Sequence, residues 1–331
     1  MNSLKRLMIG ALSALLGLVL VETSRAQTPA PITPSESKIE YTGELSGWLL
    51  SQGQTKWKNG VSQLTYKDNS TNIAELTAQA TFLKQWFARI NGGYGTIGSG
   101  NLIDNDYTGP NGALESSTNS NLKGTSVWYI NTDAGYKFLV LPDRRGSAGV
   151  FTGFQYWRQE YQAIGAVQTV CNPAPVNPLC NPAFNGRDLA AGQSAITNKT
   201  QWASWRLGVE GDYRFTRKFA VEGRLAFLPV SYLSNDDIHH LRQTAGPSLP
   251  ALQQDPSFRM TGWGFGTDVE VGANYMIAPR LFLDLGYRFW WNYVSGGTFT
   301  AYPVGAPSSS SNLNSFQSYR YGLTLGLRYA F

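Results

Sequence analysis

The sequence predicts an all-β fold: a ten-stranded antiparallel transmembrane β-barrel with long extracellular loops and short periplasmic turns. Only 15% of the 331 residues are charged, whereas 13% are aromatic and 35 are glycine. Hydrophobic and polar residues alternate with a period of two over much of the chain, which places them on opposite faces of a strand. The connections between these segments alternate between short and long, as they do in outer-membrane barrels.

The composition also excludes several classes of protein. A chain with 42% apolar residues is too hydrophobic to be disordered. No apolar run after the N-terminus approaches the length of a membrane-spanning helix, which excludes a helical membrane bundle. A net charge of +5 is too small, and its residues too dispersed, to indicate a nucleic-acid partner.

Three segments divide the chain. Residues 1–26 are typical of a secretory signal peptide, because Lys5 and Arg6 precede an apolar stretch and Ala26 ends a small-residue cleavage site. Residues 27–38 are rich in proline and are predicted to be a short lead-in. The barrel is expected to occupy 39–331, and export brings it into an oxidising compartment.

The last strand illustrates the alternation most clearly. Between 316 and 331 the odd positions carry leucine and aromatic residues, and the even positions carry small or charged residues. Such a strand suits lipid on one side and a polar lumen on the other. A soluble β-sandwich can produce the same pattern. The terminal aromatic residue, Phe331, favours the membrane barrel, because it resembles the C-terminal assembly signal of bacterial outer-membrane proteins.

Connection lengths give the number of strands. Four short turns are predicted near 83–85, 142–145, 216–218 and 278–280. Five long loops are predicted near 52–60, 97–123, 169–197, 234–258 and 301–315. Four turns and five loops require ten strands, an allowed even number. Strands of about 18–20 residues would be about 60–65 Å long, so the barrel should project beyond an apolar band about 25 Å tall.

Two motifs at the starts of long loops could carry chemistry. Asp237 and His239 lie two residues apart in LSNDDIHHLR, and Asp104 and Asp106 lie two apart in NLIDNDYTG. Residues at this spacing share one face of a strand. A carboxylate beside a histidine prepares it as a general base, and two adjacent carboxyls can retain one proton. The alternatives are a solvated loop tip at the first motif and an Asx-type turn at the second.

A calcium site is a further interpretation of the second motif. Asp104, Asp106, Thr108, Gly109 and Glu115 fall at ligand spacings of an EF-hand-like loop, but Pro110 follows the glycine and no flanking helix is predicted. No metal site is therefore predicted.

The only cysteines are Cys171 and Cys180. They are predicted to form a disulfide after export, with two free surface thiols as the alternative.

These motifs, in this order, resemble the omptins, outer-membrane endopeptidases of Gram-negative bacteria. The matching segments are LSG at 45–47, VSQLTYK at 61–67, GYGTIGSGNLIDNDYTG at 93–109, LSNDDIHHLR at 233–242, VGANYMIAP at 271–279 and GLRYAF at 326–331. The resemblance implies that Asp104 and His239 flank an attacking water, that Asp237 orients His239, and that Asp106 assists Asp104. No covalent intermediate forms in this mechanism.

The resemblance also implies an environment. It places the site on the extracellular side of the bacterial outer membrane. The protein is expected to act as a monomer on peptides or proteins at the cell surface. No cofactor is implied beyond possible dependence on lipopolysaccharide, for which Arg158 matches one lipid-contacting position. Asn235 and Asp236 are the candidate substrate contacts, and Asn235 stands where the family usually has an acidic residue. The alternative is a non-catalytic barrel, either adhesin-like or a narrow channel.

Strand parity adds one requirement. Unbroken alternation from Phe219 would point Asp237 and His239 toward lipid, so a bulge near Pro229 must shift the register by one residue. The same holds for the carboxyl pair counted from Trp86, with the break expected at the glycines at 98 and 100.

Overall fold

The computed structural model describes residues 39–108, 110–142, 145–175, 179–243 and 253–331. The predicted signal peptide and lead-in lie outside the described residues. No helix among the described residues is long and apolar enough to cross a membrane.

The described chain consists almost entirely of antiparallel strands. In chain order they are β1 (Glu40–Asn59), β2 (Ser62–Phe82), β3 (Trp86–Asp106), β4 (Ser116–Leu122), β5 (Thr125–Val140), β6 (Gly146–Cys171), β7 (Ser194–Arg214), β8 (Phe219–His239), β9 (Gln253–Ala278), β10 (Leu281–Val294), β11 (Gly297–Pro303) and β12 (Ser309–Ala330). The helical elements among the described residues are short 3-10 turns, such as the one at His240–Arg242.

Twelve strand segments occupy ten positions around a closed ring. β4 and β5 both lie between β3 and β6, so they are two parts of one strand. β10 and β11 likewise both lie between β9 and β12. β1 pairs with β12 from Thr42↔Ala330 onward, which closes the ring. The predicted ten-stranded barrel is therefore confirmed, with two of its strands each divided in two.

The strands extend farther than the sequence pattern predicted. The segment 52–60, predicted as a loop, is strand as far as Asn59, and only residues 60–61 join it to β2. The loop predicted at 97–123 reduces to 107–115, and that at 169–197 reduces to 172–193. Polar side chains occur on both faces of these extensions, so the alternation that marks a lipid-facing strand is lost although the ladder continues. We call this end of the barrel the loop end.

Rows of paired residues mark where the apolar outer surface stops. Leu285, Leu323 and similar outward side chains are more than half exposed, as a lipid-facing belt requires. Across β6 to β9, one outward row contains Tyr156, Ala203, Tyr232 and Trp263. Four residues nearer the loop end, the corresponding outward row is charged and contains Glu160, Lys199, Asp236 and Arg259. The loop end thus extends beyond the apolar belt.

Ion pairs fill the lumen at the level of the belt. Arg206 lies 3.3 Å from Asp133 and 3.4 Å from Asp268, and Arg224 lies 3.0 Å from Asp133 and 3.2 Å from Glu210. Further pairs join Arg89 to Glu270, Arg288 to Glu75 and Glu270, and Arg328 to Glu222 and Asp284. Paired charged side chains therefore occupy this narrow lumen.

An aromatic layer lies above these ion pairs, toward the loop end. The ring of Trp290 contacts Tyr129 at 4.6 Å, Trp48 at 5.1 Å and Trp157 at 5.9 Å between centroids. All four rings are at most 2% exposed. The two layers thus lie one above the other in the lumen, below the loop end.

Register breaks occur where strand parity required them. β8 advances by three residues between Phe227 and Val230 against β7, and between Leu228 and Ser231 against β9, while each partner strand advances by two. This bulge contains Pro229 and turns Asp237 and His239 inward. In β3 the buried positions change from odd, ending at Ile97, to even, starting at Leu102. The break includes Gly100, whose φ of 157° suits glycine.

The lumen ion pairs predict a large stability effect. Arg206→Leu should lower the free energy of unfolding by about 3–5 kcal/mol, because it leaves the buried Asp268 carboxylate without its cation and Asp133 with Arg224 alone. Urea unfolding of protein refolded into lipid vesicles measures this. Arg259→Leu, which removes a pair with Asp236 on the outer face, should cost about 1 kcal/mol or less. Equal losses in the two variants would contradict the assignment of the lumen pairs as the main electrostatic support.

Candidate functional site

The two predicted motifs lie on facing walls of the lumen at the loop end. Asp104 and Asp106 end β3, and Asp237 and His239 end β8, four of the ten ring positions away. Asp237 follows Asp236 of the charged outer row, so the site lies beyond the apolar belt. We call the space between these two walls the groove.

The Asp237 and His239 pair is buried and incompletely hydrogen-bonded. Asp237 Oδ1 lies 3.6 Å from His239 Nε2, and Asp237 is 0% exposed. Among the described residues, both Asp237 oxygens, His239 Nε2 and Asp104 Oδ1 are buried without a hydrogen-bond partner. Buried polar atoms nearly always have partners, and exceptions concentrate where a catalytic role or a bound group requires them.

Burial shifts the protonation of this pair in opposite directions. It raises the pKa of Asp237 to about 7, although the nearby side chains of Asn198 and Trp57 oppose the shift. Burial also lowers the pKa of His239 well below its usual value, and the charges of Arg242 and His240 add to this. The imidazole is therefore neutral at pH 7 and able to accept a proton.

The carboxyl pair on the opposite wall favours its protonated form. Burial raises the pKa of Asp104 well above its ordinary value, and the charges of Asp106 and Asp237 raise it further. Burial also raises the pKa of Asp106, opposed by a hydrogen bond of 2.7 Å from the Ser62 hydroxyl. The positive charge of Arg242 lowers both values. A carboxyl that keeps its proton at neutral pH can donate a hydrogen bond.

Strand β9 fixes the position of His239. The His239 backbone N–H donates to Ser257 Oγ at 2.9 Å, and the Phe258 ring meets the imidazole edge-on at 5.0 Å between centroids. The neighbouring His240 lies apart from the pair, because its Nε2 is 2.9 Å from the Thr197 hydroxyl.

Glu115 anchors the loops beside the carboxyl pair. It is 0% exposed and accepts backbone N–H groups from Leu179 at 2.7 Å and Ala174 at 3.1 Å, as well as the Thr108 hydroxyl. The structure joins the two cysteines of this region in a disulfide, with Cα atoms 5.8 Å apart. Because Glu115 is engaged in these bonds, it is not arranged with Asp104 and Asp106 as a calcium loop would require. Within the described part of the chain, no group of three or more metal-ligating side chains is present.

Of the other predicted residues, Asn235 faces the lumen but is engaged by its neighbours, and Asp236 and Arg158 lie on the outer face. Asn235 is buried, accepting a hydrogen bond of 2.7 Å from Thr200 and contacting the Met260 sulfur through its amide nitrogen at 3.5 Å. Asp236 lies on the outer face, 2.7 Å from Arg259. Arg158 also lies outside, in the row between the aromatic and charged rows, 3.4 Å from Glu160. Their neighbours on the strand point inward, so alternation requires Asp236 and Arg158 to point out.

Sequence reasoning missed three participants. Arg242 affects the pKa of all four motif residues, and its position three residues after His239 could have indicated it. Trp57 and Phe258 come from distant strands, and no local pattern connects either of them to the motifs.

Comparison with known proteins identifies a family and a fold. The family described as Protochlamydia outer membrane protein matches residues 46–331. No curated protein matches the chain in sequence.

Several solved structures are similar in fold. The outer membrane protease OmpT from Escherichia coli has a TM-score of 0.68 and 19% identity, covering 88% of this chain and 97% of its own. The translocator domain of the autotransporter NalP from Neisseria meningitidis has a TM-score of 0.37 and 10% identity, covering 100% and 97%. Ail, the attachment invasion locus protein of Yersinia pestis, has a TM-score of 0.27 and 8% identity, covering 88% and 98%. At these identities the likeness to OmpT shows the fold alone, and the weaker two carry no argument.

The raised pKa of Asp237 predicts a pH-dependent gain of stability in Asp237→Asn. The pKa of Asp237 is about 7 in the folded state, against an ordinary value of 3.8. Between pH 4 and 7 the unfolded state therefore gives up this proton more readily than the folded state, so the free energy of unfolding falls as pH rises through this range. Removing the charge should therefore stabilise the barrel at pH 8 by up to about 4 kcal/mol and have little effect near pH 4. Urea unfolding at both pH values measures this.

The matched control is Asp236→Asn, which removes the same charge from the outer face of the same strand. It should change stability by about 1 kcal/mol or less at either pH. Destabilisation of Asp237→Asn at pH 8 would show that the Asp237 carboxylate has stabilising partners there.

Proposed function

Since the chain belongs to the Protochlamydia outer membrane protein family and forms an outer-membrane β-barrel, we propose that it is an endopeptidase that hydrolyses peptide bonds at its loop end. The observation that carries the proposal is the set of buried, unpartnered polar atoms on Asp104, Asp237 and His239, gathered at the mouth of the groove. The omptin-like fold and the resemblance of both motifs to those of omptins support it.

His239 is the general base in this mechanism. Its lowered pKa keeps the ring neutral at pH 7, so it can take a proton from water as the water attacks the peptide carbonyl. The developing imidazolium is stabilised by the Asp237 carboxylate, 3.6 Å away. This contact must tighten in the substrate complex, as catalytic hydrogen bonds commonly do.

Asp104 acts from the opposite wall. With its proton retained, it donates a hydrogen bond to the carbonyl oxygen as negative charge develops there. Asp106, held by Ser62, helps Asp104 keep that proton because two adjacent carboxylates repel each other. The C–N bond of the resulting tetrahedral intermediate breaks as the His239 imidazolium gives the proton taken from water to the leaving amine. Nucleophile activation and carbonyl polarisation thus come from different strands, and the peptide bond lies between them.

Substrate reaches the groove only from the loop end, because the aromatic and ion-pair layers occupy the lumen below. We place this end on the extracellular side, where peptides and proteins at the cell surface are the substrates of a monomeric enzyme. Arg158 lies on the outer face, just beyond the aromatic row. We assign it to contact with lipopolysaccharide, on which activity depends in this proposal.

The alternative is a non-catalytic barrel, adhesin-like or a narrow channel. A channel needs a continuous water-filled path, whereas Trp48, Trp157, Trp290 and Arg206 are each at most 2% exposed within the lumen. Conductance in planar bilayers would identify a channel. Cleavage of peptides would identify the enzyme and distinguish it from an adhesin, which cleaves none.

Substitution of either histidine tests the assignment of the base. His239→Ala should lower kcat/KM by about 10²–10⁴-fold, because a positioned general base contributes a rate factor of this size. His240→Ala is the matched control and should keep most activity, since His240 is bound to Thr197. The measurement is cleavage of a mixed peptide library by refolded protein, with and without lipopolysaccharide. Full activity of His239→Ala, or no cleavage by correctly folded wild-type protein, would overturn the proposed function.

The pH profile tests the role of Asp237. Its carboxylate form stabilises the imidazolium, so kcat/KM should rise as pH passes about 7. It should fall again at higher pH, where Asp104 loses its proton. Asp237→Asn should have low activity and lack the rise near pH 7. A wild-type profile that is flat between pH 5 and 8 would show that Asp237 does not titrate in the reaction.

A further inference from the structure

The two walls of the groove differ in chemistry. The β3 wall carries the carboxyl pair, with Ser62 and Ser116 on either side of Asp106 in the ladder. The other wall is aromatic, because ring contacts run from His239 to Phe258 at 5.0 Å, on to Phe299 at 5.0 Å, and then to Trp57 at 5.7 Å.

Part of this aromatic wall is accessible. Phe258 and Ala301 are partly buried and pack against the core cluster that contains Phe299 and Trp57. Ala301 pairs directly with Phe258 across the ladder, and Phe299 lies two residues before Ala301 on the same face. We call Phe258, Phe299 and Ala301 the aromatic shelf. It is an apolar surface in direct contact with the ring of His239.

The charge around the groove does not favour a cationic side chain. Asn235 is neutral and committed to Thr200 and Met260, and Asp236 is paired with Arg259 outside. The carboxyls of Asp104, Asp106 and Asp237 belong to the catalytic groups, and the charge of Arg242 acts on each of them. Glu115 is held by the backbone N–H groups of Leu179 and Ala174. None of these described carboxyl groups is therefore free to bind a lysine or arginine next to the cut bond.

We propose that the groove selects peptides with an aromatic or large aliphatic side chain beside the cleaved bond, seated on the aromatic shelf. This inference rests on the proposed function, because it names the substrate class of the same site. Transfer of such a side chain from water to an apolar surface contributes about 1.5–3 kcal/mol when burial is complete. That corresponds to about a 10- to 100-fold preference in kcat/KM.

Matched peptides that differ only at the residue beside the cut bond test the inference. Wild-type protein should cleave Phe and Leu peptides about 10- to 100-fold faster than Arg or Lys peptides, judged by kcat/KM. Phe258→Ala should reduce this preference, measured as the ratio of kcat/KM for the Phe and Arg peptides, and should also lower the overall rate because Phe258 contacts His239. Ala301→Glu places a carboxylate on the shelf and should shift the preference toward Arg. The control, Thr300→Glu, adds the same charge to the outer face of the same strand and should leave the preference unchanged.

The outcomes separate this inference from the proposed function. Cleavage that depends on His239 but prefers Arg, and is unaltered by Phe258→Ala, overturns the inference and leaves the enzyme standing. If wild-type protein cleaves nothing, the enzyme proposal fails, and fluorescence polarisation with the same labelled peptides and His239→Ala protein decides the inference. Tighter binding of Phe than of Arg peptides, lost in a Phe258→Ala background, supports it. Equal or absent binding overturns it.

Discussion

Closure of the backbone hydrogen-bond ring is the constraint on which the rest of this structure depends. Pairing of β1 with β12 leaves no open edge, so every strand can face lipid without unpaired backbone groups. A ring of only ten positions encloses a narrow lumen, which the protein fills with paired charges and stacked aromatic rings. The same ladder continues beyond the apolar belt, and these extensions form the rigid walls that carry the candidate site.

Period-two alternation creates a difficulty that the bulges resolve. A strand that presents apolar residues to lipid would, if unbroken, present the motif residues to the outside as well. The extra residue near Pro229 and the break at Gly100 reverse the parity after the belt ends. The outer face then carries a charged row that includes Asp236, while Asp237 faces the lumen. Each register break therefore separates the membrane-facing part of a strand from the part that carries the candidate site residues.

Buried ionisable groups are stabilised differently at the loop end and in the apolar belt. In the belt, arginines such as Arg206 have carboxylates within 4 Å, so burial is offset by pairing. At the groove, Asp104 and Asp237 have buried oxygens without partners among the described residues, and burial shifts their protonation instead. Burial of these carboxyl groups without partners lowers the stability of the folded protein. Such a cost is expected where reactive groups must remain available to a substrate.

The sequence by itself determined the barrel, its number of strand positions, the two motifs and the need for register breaks, because period-two alternation and residue spacing are local properties. It could not fix the ends of the loops, because polar residues on both faces hide a strand outside the membrane. Only the tertiary structure decided that Asp236 points outward and that Phe258 and Trp57, from distant strands, complete the groove. Those contacts depend on which strands meet around the ring and in what register, and no local pattern encodes them.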